Sequence, residues 1–215
     1  MICIFLFLNI NWLITYYLPL TTKMHTLEPY WKWRDYYTAE EDEKSPFYGR
    51  EYSEFEFSDK IYNYYIHPQW DYFGADTLYL KLLFVDYKNG SAIIEFIGEW
   101  NDCIQNDIMF LKRDVIDVLI ENGISKFVLI GENILQFFGD SNEYYEEWYE
   151  DIKDNDGWII AINFREHITE EMIQANVHHY ININEKYADI NWRKYRPFHL
   201  VSYLDDLLIK VIFSE

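Results

Sequence analysis

Two apolar stretches flanking a tight-turn dipeptide constrain the fold of this chain more than any other feature. Leu78-Tyr79-Leu80-Lys81-Leu82-Leu83-Phe84-Val85 reads as a strand, Asn89-Gly90 as a two-residue hairpin turn, and Ser91 to Glu99 as the partner strand. A sheet therefore opens with an antiparallel hairpin. Next, Ile108, Leu111, Val115, Val118 and Leu119 recur at helical spacing, with Lys112, Arg113, Asp114 and Glu121 on the other face and Gly123 as the stop. Lys126 to Ile130 reads as a short buried strand, Ser141 to Lys153 as an acidic aromatic helix, and Trp158 to Phe164 as a further strand. Thr169 is placed to cap a helix whose first turn carries Glu170 and Glu171. Tyr180 to Ile183 reads as an edge strand, and Val201, Leu204, Leu207, Leu208 and Val211 form the apolar stripe of a terminal helix. This order predicts an α/β domain over residues 78–215: a mixed β-sheet opened by an antiparallel hairpin, then alternating helices and strands.

Upstream, residues 24–77 form a region crowded with Tyr, Trp, Glu and Asp and without a long aliphatic run, so they are expected to wrap onto a core rather than build one. Within it, Phe55 and Phe57, a turn at Ser58-Asp59-Lys60, then Tyr62, Tyr64 and Ile66 suggest a hairpin that His67-Pro68 ends. Residues 1–23 are an apolar leader with no charge before Leu20. It reads as a membrane anchor over residues 1–20, or as upstream sequence preceding a start at Met24; no cleavage pattern of a secretory signal follows it. We favour the start at Met24.

With 215 residues and 50% hydrophobic content, one domain plus appendages is the expectation. The 37 acidic residues against 18 basic give a net charge of −19, which opposes nucleic acid and anionic membranes and suits a basic protein partner. The membrane enters only if the leader is made and inserted. The two cysteines, Cys3 and Cys103, form neither a disulfide framework nor a zinc motif and fit a reducing, cytoplasmic compartment.

The order of elements, with a few local echoes, resembles the STAS fold, the domain of anti-sigma-factor antagonists and of sulfate-transporter tails. Gly98-Glu99-Trp100-Asn101-Asp102 is similar to the lead-in to that family's first long helix, Lys126-Phe127-Val128-Leu129-Ile130 to the following core strand, and Phe138-Gly139-Asp140-Ser141 to the Asp-Ser step before the next helix. The resemblance covers about residues 78–208. It implies a non-enzymatic protein-interaction module and a regulatory phosphorylation at Ser141. Asn142 and Glu143 depart from the small residues expected after that serine, and Glu143, Glu146, Glu147, Glu150 and Asp151 place like charge around it. Ser141 also reads as a plain helix N-cap.

Asp140, Tyr144, Tyr145 and Trp148 form a candidate interaction surface, since aromatic side chains give large contact area at modest entropic cost. Packing against the sheet is the competing role for these rings. An alternative is a small-ligand or enzymatic cleft between the extension and the sheet, lined by Trp70, Asp71, Glu99 and Trp100. Strong catalytic signatures are missing: there is no Gly-rich phosphate loop, nucleophile elbow or His-Glu-x-x-His motif. Asp154-Asn155-Asp156-Gly157 lacks the ligands of a calcium loop, and the adjacent His178 and His179 diverge on a helix. No metal and no cofactor is implied.

Overall fold

The structure, a computed structural model, describes residues 25–53, 55, 57 and 59–212. The readings of the leader lie outside the described residues, as does the Ser58 part of the proposed turn.

The main sheet has the order β4-β5-β6-β7, built from Leu78–Asp86, Ser91–Asn101, Lys126–Phe138 and Trp158–Ile162. β4 and β5 are antiparallel, and β5, β6 and β7 run parallel. The domain is α/β with a mixed sheet opened by an antiparallel hairpin, as its order of elements predicts. Strands β4 and β5 are buried on both faces, which explains their near-continuous apolar character. The hairpin loop is longer than the expected two residues. Asp86 pairs with Ser91, leaving Tyr87 to Gly90 as the loop, and the Asp86 carboxylate accepts from the N–H groups of Lys88 and Asn89 at 3.0 and 3.1 Å. Only Gly90 takes a positive φ there, so this side-chain bracing replaces the two left-handed residues of the shorter turn.

Helix α1 starts at Asp107–Phe110, passes through a π-helical stretch Leu111–Ile116 and ends at Asp117–Glu121. Lys112, expected on the outer face, is buried: it stands four residues after the buried Ile108 and shares its face, while Val118 is only half-buried. The Lys112 ammonium is held by Asp117 and, at 2.9 Å, by Asp151 of the next helix. Strand β6 continues eight residues past Ile130, to Phe138, through two register shifts. Gly131 breaks the apolar run that marks the strand in sequence. A Cβ there would sit 2.3 Å from the Phe164 ring, so the site takes only glycine.

Helix α2 is Glu143–Lys153, and helix α3 is Glu166–Gln174. Thr169 does not cap α3: it lies inside the helix, and its hydroxyl donates back to the Glu166 carbonyl at 2.7 Å. The strand at Trp158 ends two residues early because Asn163 is left-handed, its side chain bonded to both backbone groups of Ile190. Tyr180 to Ile183 is reduced to a single parallel bridge, Ile160 with Asn182. Helix α4, Pro197–Ile212, opens on a proline, whose fixed φ suits a first helical turn.

Helices α1, α2 and α3 cover one face of the sheet. The other face is shared. Helix α4 with Trp33, Tyr187 and Trp192 covers one part, and a three-stranded sheet of the extension covers another, through Ile61, Ile66, Trp70, Tyr79 and Ile97. In that sheet β1, His25–Leu27, lies parallel to β3, Tyr64–Ile66, which pairs antiparallel with β2, Lys60–Ile61. The partner of the Tyr64 strand is therefore Lys60–Ile61 rather than Phe55 and Phe57, and the turn is at Tyr62-Asn63, with Tyr62 left-handed at φ 53°. Among the described residues no helix is long and apolar enough to cross a membrane.

Candidate functional site

The C-terminal ends of β5 and β6 meet where their following loops lead into α1 and α2. Both the Asp102 and Cys103 N–H groups donate to the Phe138 carbonyl, at 2.9 and 3.2 Å, and the Cys103 thiol donates to the Gly139 carbonyl at 3.0 Å. The two loops thus rise together. Between them lies a shallow hollow of about 180 Å³ lined by Asp102, Cys103, Ile104, Asn106, Asp140 and Ser141.

Beneath the hollow, Asp102 joins three elements. Its carboxylate accepts from the Trp100 indole at 3.1 Å, the Ile108 N–H at 2.9 Å and the Tyr145 hydroxyl at 2.7 Å. Burial raises its pKa to about 6, against the lowering effect of these donors. Asp107, fully buried, accepts from the Asn101 N–H at 2.7 Å, while its other oxygen has no partner among the described residues. Burial, reinforced by Asp102, Asp76 and Glu99, raises its pKa to about 7. The loop between them is braced by Asn101, which accepts from the Ile104 N–H at 3.0 Å, and turns at Asn106, left-handed at φ 57°. Ile104 stands 85% exposed at its tip.

Ser141 and Asp140 are exposed on the second loop. Ser141 does not cap the helix: Asn142 takes the N-cap position, without a side-chain bond to the helix. The residues lining the hollow include no histidine or lysine to activate the hydroxyl. Burial and the carboxylates of Asp140 and Asp102 raise the Cys103 thiol pKa, which disfavours a thiolate nucleophile. The arrangement offers an exposed hydroxyl and an apolar tip on two mutually braced loops, with acidic side chains around them.

The expected surface is only partly accessible. Asp140 is exposed and Tyr144 half-buried, but Tyr145 and Trp148 are fully buried beneath the helix, so they pack rather than dock. The Trp148 ring meets Phe127 edge-on at 5.1 Å. The proposed ligand cleft of Trp70, Asp71, Glu99 and Trp100 is not assembled. Trp70 packs with the small sheet and Trp100 in the helix-covered core. Asp71 is held by Arg50, Tyr52 and Lys81, and Glu99 accepts from the Tyr62 hydroxyl. Neighbours on a strand point to opposite faces, which is why Glu99 and Trp100 part. Sequence reading missed Asp102 and Asp107. The signal available for them was acidic residues set among Trp100, Cys103, Ile104 and Ile108 just before a helix.

No family model matches the chain, and no curated protein matches it. Among solved structures, the anti-sigma factor antagonist SpoIIAA in its unphosphorylated form is similar to this chain, with 12% identity and a TM-score of 0.39, over 51% of this chain and 91% of that one.

Proposed function

We propose that this chain is a non-enzymatic, cytoplasmic interaction module that meets a basic protein partner at the paired loops ending β5 and β6. The observation that carries the reading is the bracing of one loop on the other through the Phe138 carbonyl, which presents Ile104, Asp140 and Ser141 together on a rigid base. An exposed apolar tip within an acidic rim suits a partner surface with a small apolar recess bordered by lysine or arginine. Ser141 is the group whose modification would regulate the contact. A phosphate there adds charge beside Asp140 and the first turn of α2, strengthening a basic partner's attraction without recasting the fold. Residues 78–215 act as the module, with residues 24–77 as its buttress.

Site-directed photo-crosslinking tests this. In a Cys3→Ser background of the full chain, a photoreactive maleimide is placed on Cys103 and, in a second protein lacking Cys103, on Lys88→Cys at the hairpin loop. Crosslinks to one defined protein from Cys103 but not from position 88, lost on Asp140→Lys substitution, are expected. Equal crosslinking from both positions, or none from Cys103, overturns the proposal. Mass spectrometry of the native protein reads the state of Ser141 in the same preparation.

A further inference from the structure

A cleft of about 280 Å³ lies between the small sheet and the main sheet, on the face opposite α1, α2 and α3. Its lining combines Leu27, Ile97 and Leu135 with Thr26, Tyr64, Asn133 and Arg165. Ile97 is fully buried, whereas Leu27 and Leu135 are half-buried, so the floor is hydrocarbon with a partly open top. The volume is close to the lower end, about 300 Å³, of cavities that hold small molecules.

The main sheet is irregular at this place. Ile97 and Asn133 are paired in register, and the β5–β6 ladder shifts on both sides of them, between Glu95 and Ile97 and between Gly98 and Glu99. Such bulges re-aim side chains and are common beside binding sites. A ring nitrogen of His167 sits 3.2 Å from the Leu135 carbonyl and tacks the first turn of α3 to β6. Arg165, two residues earlier, is thereby carried to the rim.

Arg165 is exposed and, among the described residues, has no ion pair or side-chain hydrogen bond. Arg50, Lys81, Lys112, Arg113 and Arg193 are neutralised by carboxylates, whereas Arg165, like Arg34 and Arg196, has no carboxylate partner among the described residues and is open to an added anion. A guanidinium offers a planar fork that matches a carboxylate with two parallel hydrogen bonds. The Asn133 amide and the Thr26 hydroxyl add neutral donors. A single cation in so acidic a chain suits one negative charge better than a dianion, and the Leu27-Ile97-Leu135 floor calls for an apolar body behind that charge.

We propose that this cleft binds a small monocarboxylate with a hydrocarbon tail, its carboxylate on Arg165 and its tail on Leu27, Ile97 and Leu135. The site is separate from the paired loops and does not depend on the interaction reading.

The test uses the full chain and two matched probes, hexanoate and hexanamide, in amide-shift titrations. Hexanoate is expected to give saturable shifts centred on Leu27, Ile97 and Leu135 and to bind roughly tenfold more tightly than hexanamide. Arg165→Gln, a surface change, should erase that preference with the dispersion of the spectrum unchanged; Lys88→Gln, at the far end of the hairpin, should keep it. Equal affinity for the amide, a preference for hexanoate that survives Arg165→Gln, shifts that map elsewhere, or no saturable shift at millimolar probe would each overturn the proposal.

Discussion

At the extension, Asp71 is buried against Lys81 at 3.3 Å and Arg50 at 3.3 Å, and the Lys81 ammonium also lies 3.8 Å from Glu40 and over the Tyr52 ring. At the strand ends, Asp102 and Asp107 are buried against an indole, a phenol and backbone N–H groups, with no ion pair to either among the described residues. Both clusters remove carboxylates from water. The first balances charge with charge; the second leaves burial to act on the proton. Burial accordingly raises Asp102 and Asp107 to about 6 and about 7. It also raises Asp71 and lowers Lys81 in the paired cluster, so the pairing there offsets only part of the desolvation. The extension is pinned by balanced charge, whereas the paired loops rest on groups that change state near neutrality.

The largest effect should come from breaking the balanced cluster. Lys81→Met leaves the fully buried Asp71 without its nearest ammonium and is expected to cost about 3–5 kcal/mol in chemical denaturation. Adding Asp71→Asn should recover part of that loss, since it removes the stranded charge. A double variant no more stable than the single one would show that the cluster acts through packing.

The loop cluster should behave with the opposite sign. Because the folded pKa of Asp107 is raised above its unfolded value, its contribution to stability is complete below the ordinary aspartate range near 4. It is lost as pH rises through about 7. Asp107→Asn keeps an acceptor for the Asn101 N–H and carries no charge. It should therefore stabilise the fold by on the order of 2–4 kcal/mol at pH 8, with the gain vanishing toward pH 4. Melting curves across that range check it; a gain independent of pH would assign the effect to something other than the proton.

The smallest effect is expected outside both clusters. Ser141→Ala should change stability by less than about 0.5 kcal/mol, because Ser141 is exposed and is not the α2 cap. A loss near 1 kcal/mol, typical of a missing N-cap, would contradict the observed start of the helix.

Much of the architecture was legible because burial imprints periodicity. Leu78 to Val85, Ser91 to Glu99 and the stripe through Leu204 are apolar where the fold needs them. The π-turn was not legible, because no local composition marks the extra residue; Lys112 read as exposed on its charge, although it stands four residues after Ile108 on the same face. The full length of β6 was hidden by Gly131, Glu132 and Asn133, which break the apolar run where the ladder shifts register. Of the candidate site, the Asp-Ser step was found on its loop, but its base was not. Asp102 gains its role from Tyr145, 43 residues away, and Asp107 from the bend of backbone that brings the Asn101 N–H to it. The side chains that line the space between extension and sheet were not legible, since strand alternation and bulges decide which of them reach it.

The six residues Leu111–Ile116 carry a consequence for how the length of this chain can change. A π-helical stretch is an α-helix holding one residue more than its turns require. Deleting a single residue there would restore ordinary pitch and leave the two halves facing as they do now, because the wide turn absorbs the extra residue. The Ile108 end would keep Asp102, and the cost would fall on Lys112, which sits inside the stretch and reaches Asp151. The helix can therefore shorten by one residue within this stretch more cheaply than anywhere else along its length.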